Sequence, residues 1–286
     1  LVRLIRQGHT CYVWEAFKTD DPKRYVLKVL REDLRKERAE INSLKNEFEC
    51  AKALKHPNIV RIYEFAVEAE IPFLVMEHFE YPNLKLWLRN GPQRIGHLAL
   101  KIIEQGAEAL FYLNSEGWIH CDVKPDNFLI SDEGTVKLID FAISVRQKSG
   151  LAAMFSFGQK VQGTRSYMSP EQIRGKNLDP RADVYAYACV LFELLSGKAP
   201  FTGTTADELL AKHLSAPIPS IQVFDPNVTT EFSNLLRKMM AKKKEERPAS
   251  MYDFLKEFRA LRVFKVMPKA PTGKLTLQDE QRKGFV

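Results

Sequence analysis

The stretch WIHCDVKPDNFLISDEGTVKLIDF, residues 118–141, constrains the fold more than any other part of the chain, because it sets polar residues between short apolar runs. FLI at 128–130 and TVKLI at 135–139 read as two short strands, and SDEG between them, with Gly134, supplies a tight turn. Such a hairpin holds its outer ends close in space. Asn127 and Asp140 stand at those ends, where an amide oxygen and a carboxylate could share a hard cation such as magnesium, which takes oxygen ligands. Asp122 and Lys124 lie one short loop upstream, so the stretch is a candidate site.

Around it the chain reads as a sheet followed by helices. Residues 2–6, 11–17 and 24–30 predict an antiparallel meander, and IVRIYEFAV and IPFLVMEHF predict two further strands. Alternation puts Lys28 on the same face as Val26 and Leu30. A lysine on an apolar face needs a companion carboxylate, since an unpaired buried charge is costly. The segment 34–55 has helical periodicity through Ile41, Leu44, Phe48, Ala51 and Leu54, and Glu47 projects from that same inward face. HLALKIIEQGAEALFYLNSEG predicts an amphipathic helix leading into the opening stretch. DVYAYACVLFELL at 183–195 is apolar almost all round and predicts a buried helix with Asp183 as its N-cap. Ser250 and Asp253 predict the capped start of a last helix, whereas 263–286, with Pro268, Pro271 and Gly273, reads as a tail or linker.

Composition narrows the class. The chain has 286 residues, 45% hydrophobic and 28% charged, which is ordinary for a soluble globular protein and enough for two lobes. No run approaches the roughly 18 apolar residues of a membrane span, so no membrane segment is expected. LVRLIR alternates like a strand and not like a signal sequence, and a portion preceding it, with any targeting signal, is expected to lie outside this sequence. Cys11, Cys50, Cys121 and Cys189 show no CxxC pairing or zinc spacing, which points to a reducing, cytoplasmic setting. The net charge of +7 sits largely in mixed-sign segments such as REDLRKERAE and KKKEER, which read as solvated helix faces, and no nucleic-acid partner is expected. The oligomeric state is not written in the sequence.

HCDVKPDN, then IDFA, then SYMSPEQ, resemble the HRDxKxxN, DFG and APE motifs of the protein kinase family. The resemblance covers about residues 1–262 and is similar above all to bacterial kinases of the eukaryote-like type. It implies an α+β, two-lobed protein kinase-like fold: a small antiparallel sheet plus one helix over a mainly helical large lobe. The implied division is a nucleotide-binding lobe over 1–79, a lobe with the catalytic loop and activation segment over 80–262, and the tail.

The resemblance also implies roles. Asp122 would orient and deprotonate the acceptor hydroxyl, Lys124 would stabilise the transferring phosphoryl group, and Asn127 and Asp140 would hold Mg. Lys28, fixed by Glu47, would clamp the ATP phosphates. Gly8, Val13, Val26 and Leu129 join the implied ATP contacts, with Met76 as gatekeeper and the backbone of Glu77 and Phe79 bonding adenine. Asn83 stands where an acidic residue often contacts ribose. Thr164 and Lys124 match the serine/threonine-specific branch, so the implied partner is a protein substrate with Ser or Thr. Glu171 with Arg247, and Asp183 with the catalytic-loop backbone, are further implied pairs.

The departures matter as much. The family's glycine-rich loop, counted back from Val13, would place glycines at 6, 8 and 11, and the chain has Arg6, Gly8 and Cys11. Cys121 replaces the usual Arg of the catalytic loop and Ala142 the usual Gly of DFG. A thiol cannot pair with a phosphorylated activation-loop residue as a guanidinium does, so activity should not depend on phosphates at Ser149 or Ser156. The alternative is a pseudokinase that binds nucleotide weakly as a scaffold or switch. A small-molecule phosphotransferase of related fold is disfavoured by the SPE segment and Arg247.

Overall fold

The structure is a computed structural model that describes residues 1–19, 21–147 and 163–271. The small lobe is built on five strands: β1 (Arg3–Gln7), β2 (Cys11–Lys18), β3 (Asp21–Leu30), β4 (Ile62–Glu68) and β5 (Ile71–Glu77). They form one antiparallel sheet in the order β1-β2-β3-β5-β4. The β1–β2 hairpin closes through Gly8, whose N–H donates to Cys11 O at 2.9 Å. A Cβ on Gly8 would sit 2.9 Å from that same oxygen, so the turn requires glycine. Glu15, buried within the sheet, takes Arg3 at 3.1 Å and Arg24 at 2.7 Å from the two flanking strands.

Helix α1 (Arg38–Ala51) packs against this sheet and buries Leu44, Glu47, Cys50 and Ala51. It is shorter than the predicted 34–55. Residues Glu32–Leu34 form a separate 3-10 turn, and the position before the helix, Glu37, makes no side-chain cap. Leu54 remains buried but lies past the helix end.

The large lobe contains α2 (Leu84–Arg89), α3 (Ala99–Ser115), α4 (Pro170–Ile173), α5 (Arg181–Ser196), α6 (Ala206–Ser215), α7 (Thr230–Met239) and α8 (Met251–Arg259). Between α3 and α4 run β6 (Trp118–Ile119), β7 (Phe128–Ile130), β8 (Val136–Leu138) and β9 (Val145–Arg146). β7 and β8 are the predicted hairpin, with Phe128 opposite Leu138 and Gly134 at φ 77° in the turn. Every residue of α5 from Ala182 to Leu195 is buried, as its all-round apolar pattern requires. Asp183 is not its N-cap, however: Pro180 holds that position and Asp183 is the third helical residue. Gly106 lets α3 approach α5, because a Cβ there would meet Tyr187 Oη at 2.5 Å. Tyr187 in turn donates to Ile103 O at 2.8 Å.

The segment after 262, expected as a tail, is docked where it is described. Val263 and Phe264 are buried, Thr229 N–H donates to Val263 O at 2.9 Å, and Lys265 N–H donates to Asn227 O at 2.8 Å. Its two apolar residues give it a place on the lobe that its prolines conceal. Ser149, Ser156 and the apolar stretch around them lie outside the described residues. Among the described residues no helix is long and apolar enough to cross a membrane.

Candidate active site

The loop between β6 and β7 is fixed from below. Asp183 on α5 accepts N–H bonds from His120 at 2.9 Å and Cys121 at 3.1 Å, and the Asn114 amide at 2.9 Å. Cys121 adopts φ 66°, a left-handed conformation unfavourable for a side chain, and this tether supports it. His120 accepts from Asp122 N–H through Nδ1 at 3.3 Å and faces Ile139 O through Nε2 at 3.3 Å, which places the proton of a neutral ring on Nε2.

Held this way, Asp122 becomes the centre of a polar cluster. Its Oδ1 accepts from Thr164 N–H at 2.9 Å and Thr164 Oγ1 at 2.8 Å. Its Oδ2 accepts from Lys124 Nζ at 2.5 Å. Lys124 also donates to Thr164 Oγ1 at 2.9 Å, closing a three-residue ring of carboxylate, ammonium and hydroxyl. Asn127 donates its amide to Asp122 O at 2.9 Å, and this orientation leaves its amide oxygen as the acceptor. The sequence-predicted Asp122, Lys124, Asn127 and Thr164 therefore come together although Thr164 is 42 residues from Asp122.

The second cluster bridges the lobes. Lys28 Nζ lies 2.6 Å from Glu47 Oε2 and 3.0 Å from Asp140 Oδ1. Burial alone would lower the lysine pKa, but the Asp140 and Glu47 carboxylates raise it, so the ammonium is retained. Burial likewise pushes Asp140 up, and Lys28 more than offsets this, bringing the carboxyl down to about 2. Glu47, with no exposed surface, is held above the ordinary carboxylate range by burial, against the pull of Lys28. Asp140 sits at φ 69°, and Phe141 after it is fully buried, its ring 5.5 Å from that of His120. Ala142 is not among the residues of positive φ, so alanine is unstrained there in this arrangement. The Asn127 amide oxygen and the Asp140 carboxylate are hard-oxygen donors of the kind magnesium takes, and Ile139 N–H, donating to Asn127 O at 3.0 Å, ties the two stretches that carry them.

Sheet register places the sequence-predicted residues of the small lobe. Val13 pairs with Lys28 and Val26 with Met76, so the lysine and the buried methionine are placed by neighbouring strands. Val13, Val26 and Leu129 are half-buried. Glu77 is anchored at the end of β5, its N–H donating to Arg61 O at 2.8 Å and its carboxylate accepting from Lys137 at 2.7 Å. Phe79 O accepts Tyr81 N–H at 2.9 Å. Asn83 is the N-cap of α2, accepting Leu86 N–H at 3.0 Å, which commits its side-chain oxygen locally.

Cys121 itself is buried with Ile119 and Ala182, and Ile143, Val145 and Leu178 pack on this cluster. Burial pushes its thiol well above the usual cysteine range, so it stays protonated. Arg247 donates two parallel bonds to Glu171, at 2.7 and 2.9 Å, in the buried pair expected from the sequence. No signal in the sequence points to Glu193, a buried carboxylate that takes Tyr167 Oη at 2.6 Å and Lys85 Nζ at 2.5 Å. Nor does any point to Asn46, whose amide reaches the segment after Asp140.

Comparison with known proteins agrees with this geometry. The family model described as the protein kinase domain matches residues 1–258. The serine/threonine-protein kinase PrkC of Bacillus subtilis is 35% identical over 243 residues, 85% of this chain and 37% of that protein. The serine/threonine-protein kinases PknB of Mycolicibacterium smegmatis and Mycobacterium leprae are 33% and 34% identical over 267 residues, 91% and 90% of this chain and 42% and 41% of those proteins. The chain spans less than half the length of each of these relatives.

Proposed function

The chain belongs to the protein kinase family, and on that premise we propose that it transfers the γ-phosphate of ATP to serine or threonine hydroxyls of a protein. The observation that carries the reading is the position of Lys28 between Glu47 and Asp140, across the lobes from the Asp122–Lys124–Thr164 ring. Asp122 accepts the proton of the attacking hydroxyl as the bond to the γ-phosphorus forms and the bond to the ADP oxygen breaks. Lys124 offsets the charge developing on the transferred group. Lys28 binds the nucleotide phosphates. Bound magnesium, held by Asn127 and Asp140, would neutralise phosphate charge. Catalysis of this kind is chiefly positioning and electrostatics.

The small lobe, 1–79, contributes the nucleotide contacts and the large lobe, 80–262, the acceptor side. Gly8, Val13, Val26, Met76 and Leu129 line the nucleotide cleft in this reading, with the backbone of Glu77 and Phe79 toward adenine and Asn83 beside ribose. Four buried free thiols suit a reducing cytoplasm. The apolar surroundings of Cys121 support activity that does not wait for an activation-segment phosphate. The acceptor is a protein, not a nucleic acid. A second reading, a nucleotide-binding scaffold without transfer, draws on Arg6 and Cys11 in the β1–β2 hairpin, where fewer glycines leave the backbone less room near phosphates. Incubation with radiolabelled ATP, magnesium and a generic protein substrate separates the two. Label on serine or threonine supports the kinase; nucleotide binding without transfer under any divalent metal supports the scaffold.

A further inference from the structure

Helix α1 carries Glu47 to Lys28, and the residue just before Glu47 makes a contact that the proposed chemistry does not use. Asn46 Nδ2 donates to Ala142 O at 3.0 Å and to Ser144 O at 2.9 Å, bonds that reach 96 and 98 residues along the chain. Both partners are carbonyl oxygens, so the amide must present its nitrogen, and both of its N–H groups are used. Glu47 and Cys50 reach the same short run. The Phe141 N–H faces the Glu47 carboxylate, and the Cys50 thiol faces the Ser144 side chain. Ser144 Oγ continues the connection to His120 O at 3.3 Å. Helix α1 and residues 142–144 are thus fastened by the two donors of one amide, with Glu47 and Cys50 of the same helix lying beside that run.

What this run holds is costly to hold. Asp140 lies in the left-handed region at φ 69° without being glycine, a conformation that persists only where its surroundings over-determine it. Lys28 fixes its carboxylate from one side, and the carbonyls immediately beyond it are fixed by Asn46. Cys121 offers no cation to a phosphate that could order the segment from outside. We propose that Asn46 is a positioning residue that fastens the segment after Asp140 to helix α1 and so keeps Glu47, Lys28 and Asp140 aligned without a loop phosphate. The role rests on the kinase reading, because it acts through Glu47.

Three variants of the full chain test it: Asn46→Ala removes both donors, Asn46→Asp sets a carboxylate against two carbonyl oxygens at nearly the same volume, and Glu47→Gln breaks the route of action. Expected are a loss in kcat of about fivefold for Asn46→Ala and of tenfold or more for Asn46→Asp. In the Glu47→Gln background the Asn46→Asp change should cost less than twofold, since coupled residues are non-additive. Hydrogen exchange at the amides of 141–146 should speed up at least tenfold in Asn46→Asp, with α7 and α8 unchanged. Wild-type activity in Asn46→Asp, or a full tenfold loss persisting beside Glu47→Gln, overturns the proposal. A wild-type chain that transfers no phosphate defeats the kinase reading instead, and the exchange measurement then still decides whether the fastening exists: unchanged exchange in Asn46→Asp overturns it.

Discussion

Lys28→Met separates what the ammonium does for the fold from what it does for chemistry. From sequence alone this change is expected to spare the fold, since the charge acts on phosphate. The structure argues otherwise: Glu47 has no exposed side-chain surface, and Lys28 is its charge partner at 2.6 Å. Breaking a buried ion pair by removing one member costs about 3–5 kcal/mol, because the other charge stays buried without compensation. Asp140 suffers less, its side chain being 35% exposed and so open to water. Glu47 escapes part of the penalty by taking up a proton. Its folded pKa is already raised, by burial first, and losing Lys28 removes the main pull downward. A carboxyl with a raised folded pKa binds protons more readily folded than unfolded, so stability falls as pH rises from the ordinary carboxylate value through the raised one. The deficit of Lys28→Met should therefore be small near pH 5 and reach about 3 kcal/mol near pH 8. Against a total stability of about 5–15 kcal/mol, that is readily measured. Urea unfolding followed by fluorescence, with Trp14 in β2 as a small-lobe probe, gives the midpoints. Lys28→Met with Glu47→Gln should regain about 2 kcal/mol or more at pH 8 and lose the pH dependence, while both variants remain at least about a hundredfold less active. Equal midpoints for the single and double variants at pH 8 would refute the reasoning.

Asp140→Asn should weaken binding of ATP with magnesium more than binding of ATP without metal, measured by titration calorimetry; equal loss in both would mean a purely structural carboxylate. Arg247→Met should cost about 3–5 kcal/mol in urea unfolding, since it strands the buried Glu171 and frees the carbonyls of Ala241 and Arg181; a cost under about 1 kcal/mol would show the pair to be dispensable. Ala142→Gly should tighten binding of inhibitors that require Asp140 and Phe141 to exchange places, because glycine opens backbone angles that alanine disfavours; tighter binding by the alanine form contradicts this. Replacing Ser149 and Ser156 together by Ala should lower activity less than about tenfold, roughly 1.4 kcal/mol of activation free energy; abolished activity would mean that another cation reads a loop phosphate.

Residues were legible where their placement depends on local pattern. The β7–β8 hairpin and its flanking polar residues follow from alternation and one turn glycine, and α5 from an apolar run too continuous for a surface helix. Legibility failed where a distant partner decides. Asp183 looks like a cap because acids favour helix starts, yet its carboxylate is turned to amides of a loop more than 60 residues earlier. Glu193 sits in an apolar helix pattern like any misplaced charge, and only Tyr167 and Lys85, from two other elements, explain its burial. Helix α1 is shorter than its apolar periodicity suggests, because that periodicity marks which face is buried and not where the helix stops: no side chain caps the start at Glu37, and Leu54 stays buried past the helix end. The β4–β5 turn had no glycine to announce it: Ala69 and Glu70 take φ 46° and 62°, as the hairpin's twist demands.

Cys121 shows why a single substituted letter is better understood with its neighbours. Its backbone is fixed by Asp183 in the left-handed region, so the direction of its side chain is set by the loop and not by the residue type. That direction leads into the pocket of Ile119, Ala182, Ile143, Val145 and Leu178. A guanidinium placed there would need hydrogen-bond partners that these side chains cannot supply, and an unpaired buried charge costs several kcal/mol. The segment that carries Ile143 and Val145 is held by the Asn46 bonds and by the pairing of β9 with β6, all made by uncharged groups. On the reading proposed above, the absent arginine, the apolar pocket and the amide fastening belong to one arrangement, in which packing and neutral hydrogen bonds would do the ordering of residues 141–146 that a phosphate and its cation would otherwise do.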